Sequence, residues 1–393
     1  MIKADINEVR RRLASKWHSD SLTRNTKNIR SRLDPGGYFP ESLTGKYDGM
    51  FPRTVGALAK LFLLTGELEA LAQCVEYVLR TMADASLERM PHKIVPRSEA
   101  GASPLCDMLD EIDGQAHLIL AWALLAAAKK RCTDEDRRWP LVRDLMDRSV
   151  ESPYLSRDTC WRIHPGLVLN LNLEHSRDEQ LWLTYDFLSQ SFIAAALEAM
   201  IDVADRRGEE ADASRWRGVL ASLTASIEQK MVYELDGKPV YREMLLPSGR
   251  KPVPFEGMGW INLAPIPSGW EGVNREIFGN TLRAWHARAK IEWGGPAITA
   301  CDWTPAGHTN QTYGKMLGWD LAACMDYGEY GHVCSILDFL EQVNTAGLYA
   351  EIFNWHPDLG EWTLHDAGNG EQVVWLCWSL MRVRQLAGLS PEP

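Results

Sequence analysis

The chain is laid out as helical segments in consecutive pairs, and this arrangement narrows its fold more than any other feature. Apolar residues recur at helical spacing over 50–65 and 67–82, joined through Gly66. The same pattern holds over 113–131 with 133–150, and over 182–206 with 210–233 through a turn around Gly208. It is less regular over 256–263 with 274–290 and over 313–325 with 329–344, and 371–386 closes the chain. With a helix at 7–17, the count comes to about twelve.

Between the pairs lie longer segments rich in Gly, Pro, Trp and His: 34–49, 84–109, 151–180, 234–255, 291–312 and 346–370. Short turns on one side and long loops on the other are what a closed ring of helical hairpins gives, with functional residues gathered at the long-loop end. The expected fold is therefore all-α, an (α/α)6 toroid of paired helices forming a single catalytic domain over 1–393. An open solenoid of helix pairs is the alternative, but these pairs share neither a fixed period nor a common signature. Strand signals are local: 238–246 alternates, and Pro247-Ser248-Gly249 reads as a hairpin turn.

Composition removes several function classes. A formal net charge of −11 speaks against a nucleic-acid partner, which needs a dense basic surface, and against a polyanionic substrate. Residues 1–33 are locally basic, but Asp5 and Glu8 interrupt the run, and a solvated amphipathic helix explains it better than a transit peptide. No stretch approaches the roughly 18 apolar residues of a membrane span, so a soluble, cytoplasmic protein without a membrane partner is expected. Eight cysteines lie scattered without CxxC or CxxH spacing, which favours reduced, buried thiols over disulfides or zinc; no metal and no cofactor are expected. The unusual entry is 16 Trp against 9 Phe and 11 Tyr, an excess that suits ring-shaped ligands.

No phosphate-binding glycine loop, GxSxG elbow or HExxH pair occurs, which leaves acid/base chemistry by loop carboxylates. Glu351 stands among aromatics in Leu348-Tyr349-Ala350-Glu351-Ile352-Phe353-Asn354-Trp355-His356-Pro357. Aromatic faces pack on the apolar face of a sugar ring, and a carboxylate beside them can take a proton from water; a solvated Glu beside core aromatics is the plainer account. Asp178 and Glu179 precede Trp182, where either can be a general acid whose pKa Trp182 helps to raise, or simply a helix cap. Asp113 and Gln115 follow Asp110 and Glu111 at a helix start and can bind sugar hydroxyls. Trp293 and Trp303 flank glycines that permit close backbone approach. Further binding candidates are Tyr47, Asp48, Arg53, His92, His308, Gln311, Trp355 and Trp375.

Taken in order, Met90-Pro91-His92, then Asp113-Gly114-Gln115, then Ser176-Arg177-Asp178-Glu179-Gln180-Leu181-Trp182, then Trp293-Gly294-Gly295-Pro296, then Glu351 ahead of Pro357-Asp358-Leu359-Gly360-Glu361 resemble the (α/α)6 glycoside hydrolases. The likeness is nearest to family 63 glucosidases and mannosylglycerate or glucosylglycerate hydrolases, with families 15 and 125 behind, and it spans 47–380. It implies Asp178 as general acid, with Glu179 open because the spacing departs by one residue from the family's Ser-Gly-x-Asp-Asn. It further implies Glu351 as general base and inverting hydrolysis of a small α-linked glucoside or mannoside. At Val374-Trp375-Leu376 the chain departs from the family's Ser-Trp-Thr/Ser.

The rival enzyme class on the same ring is the N-acylglucosamine 2-epimerase-like isomerases, which the Asp113-Gly114-Gln115-Ala116-His117 helix opening also resembles. That reading requires two or more of His117, His175, His308 and His365 to converge at the centre. A sugar-binding module without catalysis is a third reading. The partner expected in every case is a small carbohydrate, and self-association into a homo-oligomer is left open.

Overall fold

The protein is described here by a computed structural model that covers residues 4–97, 103–108, 112–129, 133–151, 164–172, 182–248, 251–255, 258–301, 303–304, 307–308 and 310–392. Thirteen α-helices occur among these residues: α1 Ile6–Leu13, α2 Lys16–Arg32, α3 Pro52–Thr65, α4 Leu68–Asp84, α5 Ile112–Lys129, α6 Thr133–Glu151, α7 Phe187–Arg207, α8 Glu210–Lys230, α9 Pro265–Ser268, α10 Arg275–Arg288, α11 Gly314–Asp326, α12 Tyr330–Val343 and α13 Gly370–Leu386. Their composition sorts them into two kinds. In α3, α5, α7, α11 and α13 the buried residues run all round the helix, whereas α4, α8 and α12 bury one stripe. Helices apolar on every side belong inside, and one-striped helices belong against them.

The packing follows. Helix α3 lies against α5, α5 against α7, α11 against α13, and α13 returns to α3. Between α7 and α11 the succession passes through the 3-10 turn Trp260–Leu263 and the short α9, each of which touches both helices. On the outside, α4 backs α3, α6 backs α5, α8 backs α7, α12 backs α11 and α2 backs α13. Helix α7 is long and apolar enough to cross a membrane, and its burial among these neighbours accounts for that composition.

The expected pairs 50–65/67–82, 113–131/133–150 and 313–325/329–344 appear with boundaries shifted by a few residues. Gly66 (φ 78°) and Gly208 (φ 76°) close α3 and α7 in the left-handed conformation that lets the chain reverse at once. Three expectations are corrected. The helix placed at 182–206 begins only at Phe187, because 182–186 is a strand and Asp186 caps the helix by accepting the Ser189 N–H at 2.6 Å. The helix at 256–263 is reduced to a 3-10 turn, after which Pro265 starts the single turn of α9 and Gly269 (φ 77°) ends it. The N-terminal helix 7–17 ends at Leu13, and the longer α2 follows from Ser15, whose hydroxyl accepts the His18 N–H at 3.3 Å. Polar residues of α2 such as Asn25 and Thr26 are buried, which masks its periodicity in the sequence.

The long segments carry more strand than their sequences suggest. Gln311–Tyr313, Ala350–His356 and Glu361–Ala367 form one antiparallel sheet. Val232–Leu235 pairs with Lys238–Tyr241 around Asp236 and Gly237, both at positive φ, as a two-residue hairpin demands. Of the turn expected at Pro247-Ser248-Gly249, Pro247 and Ser248 belong to a strand, where Ser248 pairs with Lys251, and Gly249 lies outside the described residues. Of the described cysteines, all but Cys106 are buried.

Candidate functional site

At the end of the helices where α3 and α13 begin, the stretch before α3 and the strand Ala350–His356 meet over a narrow pocket. Glu41, Tyr47, Phe51, Arg53, Glu351 and Glu371 line it. Glu351 is on that strand rather than in an irregular loop, one face of its side chain reaching the pocket. The Tyr47 hydroxyl donates to its Oε1 at 2.7 Å and the Lys46 ammonium to its Oε2 at 2.6 Å, so both carboxylate oxygens are held. Burial, reinforced by this bond to Glu351, pushes the Tyr47 phenol up to about 12, which keeps it a donor.

Beneath lies a buried set of charges. Glu371 stands in the first turn of α13, where Arg53 Nε reaches Oε2 at 3.1 Å and Lys315 Nζ reaches Oε1 at 3.1 Å. All three side chains are buried, and their charges compensate one another. Burial lowers Lys315 to about 8 against the pull of Glu371, and its ammonium lies 4.7 Å from the Trp260 ring centroid. Glu41 completes the group. Its Oε1 accepts the Glu371 N–H and its Oε2 the Thr54 hydroxyl, both at 2.7 Å, while burial first and the Glu371 charge second raise its carboxyl to about 7. Below these charges the inner helices contribute aromatics: His117 against Phe192 with centroids 3.7 Å apart, and Trp375 against Trp319 at 5.4 Å. The indole N–H groups of Trp319 and Trp375 are buried and have no acceptor among the described residues.

The structure thus brings Tyr47, Arg53 and Glu351 to one pocket, with Trp375 fully buried below it. Asp113 is buried on α5, close enough for its charge to act on Lys315. Other candidates are placed elsewhere. Asp48 is exposed and pairs with Lys93 at 2.9 Å. His92 packs edge-on against Phe51 at 4.9 Å. The Gln115 amide is committed to the protein, donating to Leu145 O at 3.0 Å and Ser149 Oγ at 2.7 Å and so tying α5 to α6.

Trp293, Trp355 and Trp362 form a separate aromatic group over Phe339, bordering a cleft with Gly294 and Gly295. Trp355 follows Glu351 by four residues on the same strand, about 13 Å along it. Gln311 pairs with Asn354 in the neighbouring strand. For Trp303 and His308 only the backbone is described, as a paired turn of strand, and Trp182 opens the strand 182–186. Asp178, Glu179 and His175 lie outside the described residues. Of the histidines in the isomerase reading, His117 is sealed in the core, and burial pushes its pKa down to about 3.

Glu41, Lys315 and the ion-pairing role of Glu371 escaped the sequence reading. The signal was present: Glu371 and Lys315 are single charges at the apolar starts of their helices, GEQVVWLCWS and GKMLGW. A charge in such a place is buried, and a buried charge needs a partner.

No family model and no curated protein sequence matches the chain. Solved structures do. A wild-type glycosidase matches with TM-score 0.66 and 14% identity over 98% of this chain and 100% of that one. A metal-independent α-mannosidase from Streptococcus pneumoniae, in a non-productive complex with α-1,6-mannobiose, matches with TM-score 0.66 and 13% identity over 98% and 97%. The family 63 mannosylglycerate hydrolase from Thermus thermophilus, in complex with glucose, matches with TM-score 0.60 and 12% identity over 90% and 98%. At such identities the shared property is the fold.

Proposed function

We propose that this chain is an inverting glycoside hydrolase built on an (α/α)6 toroid, cleaving a small α-linked glucoside or mannoside with Glu351 as the base that activates water. The closed succession of inner helices from α3 round to α13 supports the ring. The glycosidase neighbours cover nearly the whole chain, which supports the reaction class. The observation that carries the residue assignment is the pocket itself, where Tyr47 and Lys46 hold both oxygens of Glu351 over a buried ion-pair base.

The general acid is Asp178 or Glu179. One of these protonates the leaving oxygen while Glu351 takes a proton from water on the opposite face of the sugar, a geometry that needs about 6.5–9.5 Å between the carboxyl groups. The remaining charges orient. Arg53 and Lys315 fix Glu371, and Glu371 with Thr54 fixes Glu41, so the floor of the pocket is rigid before substrate arrives.

The test is hydrolysis of aryl α-glucosides and α-mannosides by the wild type and by Glu351→Gln, with the first-formed anomer read by proton NMR. Turnover is expected to fall by about 100- to 10,000-fold with KM little changed, the scale of general-base catalysis. The first product is expected to be the β-anomer. A wild-type rate in the variant removes Glu351 from the role, and interconversion of free aldoses without glycoside cleavage replaces the hydrolase reading with the isomerase one.

A further inference from the structure

Away from the pocket, three helices aim metal-type ligands at one point. His286 comes from the last turn of α10, Asp320 and Cys324 lie one turn apart on α11, and His332 comes from the first turn of α12. Asp320 Oδ1 is 2.7 Å from His286 Nε2, and Asp320 Oδ2 is 3.0 Å from His332 Nε2. Cys324 Sγ lies 3.3 Å from Asp320 Oδ1 and 3.8 Å from His286 Nε2. One donor atom from each of the four residues falls within 4.8 Å of the others. Both imidazoles present the same nitrogen, and their rings stack with centroids 3.9 Å apart.

We infer that His286, Asp320, Cys324 and His332 form a structural binding site for a zinc-like divalent cation. Ligands about 2.0–2.3 Å from a tetrahedral ion lie roughly 3.3–3.8 Å from one another. The two sulfur distances fall in that range, whereas the carboxylate contacts, 2.7 and 3.0 Å, are of hydrogen-bond length and would open as an ion enters. The donor set fits as well: two imidazoles, one thiolate and one carboxylate suit a borderline ion such as Zn²⁺ rather than the oxygen-seeking Ca²⁺ or Mg²⁺. Four protein ligands leave no open position, which makes the site a clasp and not a reaction centre. Asp320 and Cys324 are fully buried, so the ion would sit inside the wall formed by α10, α11 and α12. The Thr299 hydroxyl donates to Asp320 Oδ2 at 3.1 Å, the outer hydrogen bond that orients a carboxylate ligating through its other oxygen. Lys315, which holds Glu371 at the pocket, stands five residues before Asp320 on α11, so the clasp would also steady that helix. The proposal is independent of the glycosidase reading.

Cobalt(II) tests it. The full, untagged chain is dialysed against chelator and titrated with Co²⁺, then with Zn²⁺ as competitor. The expected result is one cobalt per chain with a sulfur-to-cobalt charge-transfer band in the near ultraviolet, displaced by zinc, and a Tm that falls on chelation and returns with added zinc. Cys324→Ser is expected to abolish the band. His332→Ala is expected to weaken binding by more than roughly 100-fold, beyond the 10- to 100-fold loss typical of an outer partner. X-ray absorption of the cobalt-loaded wild type is expected to show one sulfur and two imidazole nitrogens around the ion, and this reading decides the matter should either ligand variant fail to fold by circular dichroism. Absence of stoichiometric cobalt binding in the folded wild type overturns the proposal and leaves a hydrogen-bonded cluster around an ionised Asp320. A cobalt shell without one sulfur and two imidazoles, or survival of the band in folded Cys324→Ser, overturns it equally.

Discussion

The Tyr47 hydroxyl meets Glu351 Oε1 at 2.7 Å across 304 positions of the chain. One residue comes from the segment that leads into α3 and the other from a strand near the C-terminus, and the bond exists only because α13 packs back on α3. For a base that must face one water molecule, a donor on each carboxylate oxygen sets the orientation.

Tyr47→Phe deletes one of the two donors and leaves the ring in place against Phe51. If Glu351 is the base, kcat on an aryl α-glycoside is expected to drop by about 10- to 100-fold, the range for a misoriented catalytic group, with KM and Tm little altered. An unchanged kcat means that the bond is only structural.

Glu371→Gln leaves Arg53 and Lys315 buried together without their shared anion. Breaking a buried ion pair on one side costs about 3–5 kcal/mol, so urea unfolding is expected to show a fall in unfolding free energy of that size. A loss under about 1 kcal/mol would place the carboxylate in contact with water rather than in a closed network.

Glu41 gives the protein a pH-dependent term with a definite sign. Its folded pKa of about 7 lies above its ordinary 4.5, so the folded state holds the proton more tightly than the unfolded chain does. Its contribution to stability is therefore fully present below pH 4.5 and is lost as pH rises to about 7. Unfolding free energy of wild type against Glu41→Gln, measured across that window, is expected to converge on a flatter profile in the variant. Parallel profiles would locate the titration in another group.

Two glycines separate conformational from steric cost. Gly208 has φ 76° and open space around an added Cβ, so Gly208→Ala is expected to cost about 1 kcal/mol from backbone strain alone. At Gly56 on α3 an added methyl would strike the His117 ring of α5 and come within 2.8 Å of its Cβ. Gly56→Ala is expected to cost about 1–3 kcal/mol by overpacking the contact between two inner helices. Thermal melts of the two variants compare them directly; equal costs would mean that α3 and α5 part easily.

Much of the fold was open to local reading, because an apolar period of 3.6 residues and a terminal glycine act within a few residues of themselves. The pairs on either side of Gly66 and Gly208 were visible for that reason. What failed was also local: Asp186 as a cap behind a short strand, Pro265 after a single 3-10 turn, and the polar burial of α2 each interrupted or hid the period. Glu351 was legible as a carboxylate among aromatics, and Tyr47 and Arg53 as residues at a loop-to-helix junction. Gln115 was equally visible, but which atoms its amide meets depends on α6, and those turned out to be Leu145 and Ser149.

The sequence by itself determined where most of the paired helices lie and where the chain reverses at Gly66 and Gly208, since each follows from side-chain spacing and backbone freedom nearby. The tertiary structure alone decided that Tyr47 bonds Glu351, that Arg53 and Lys315 share Glu371, and that four ligands from three helices meet around Asp320. Cysteine spacing registers ligand groups only when they are close in the chain, whereas His286, Asp320 and His332 are brought to Cys324 by helices packing side by side. Such meetings depend on the closure of α13 against α3 and on the stacking of outer helices on inner ones, and no short-range pattern carries that information.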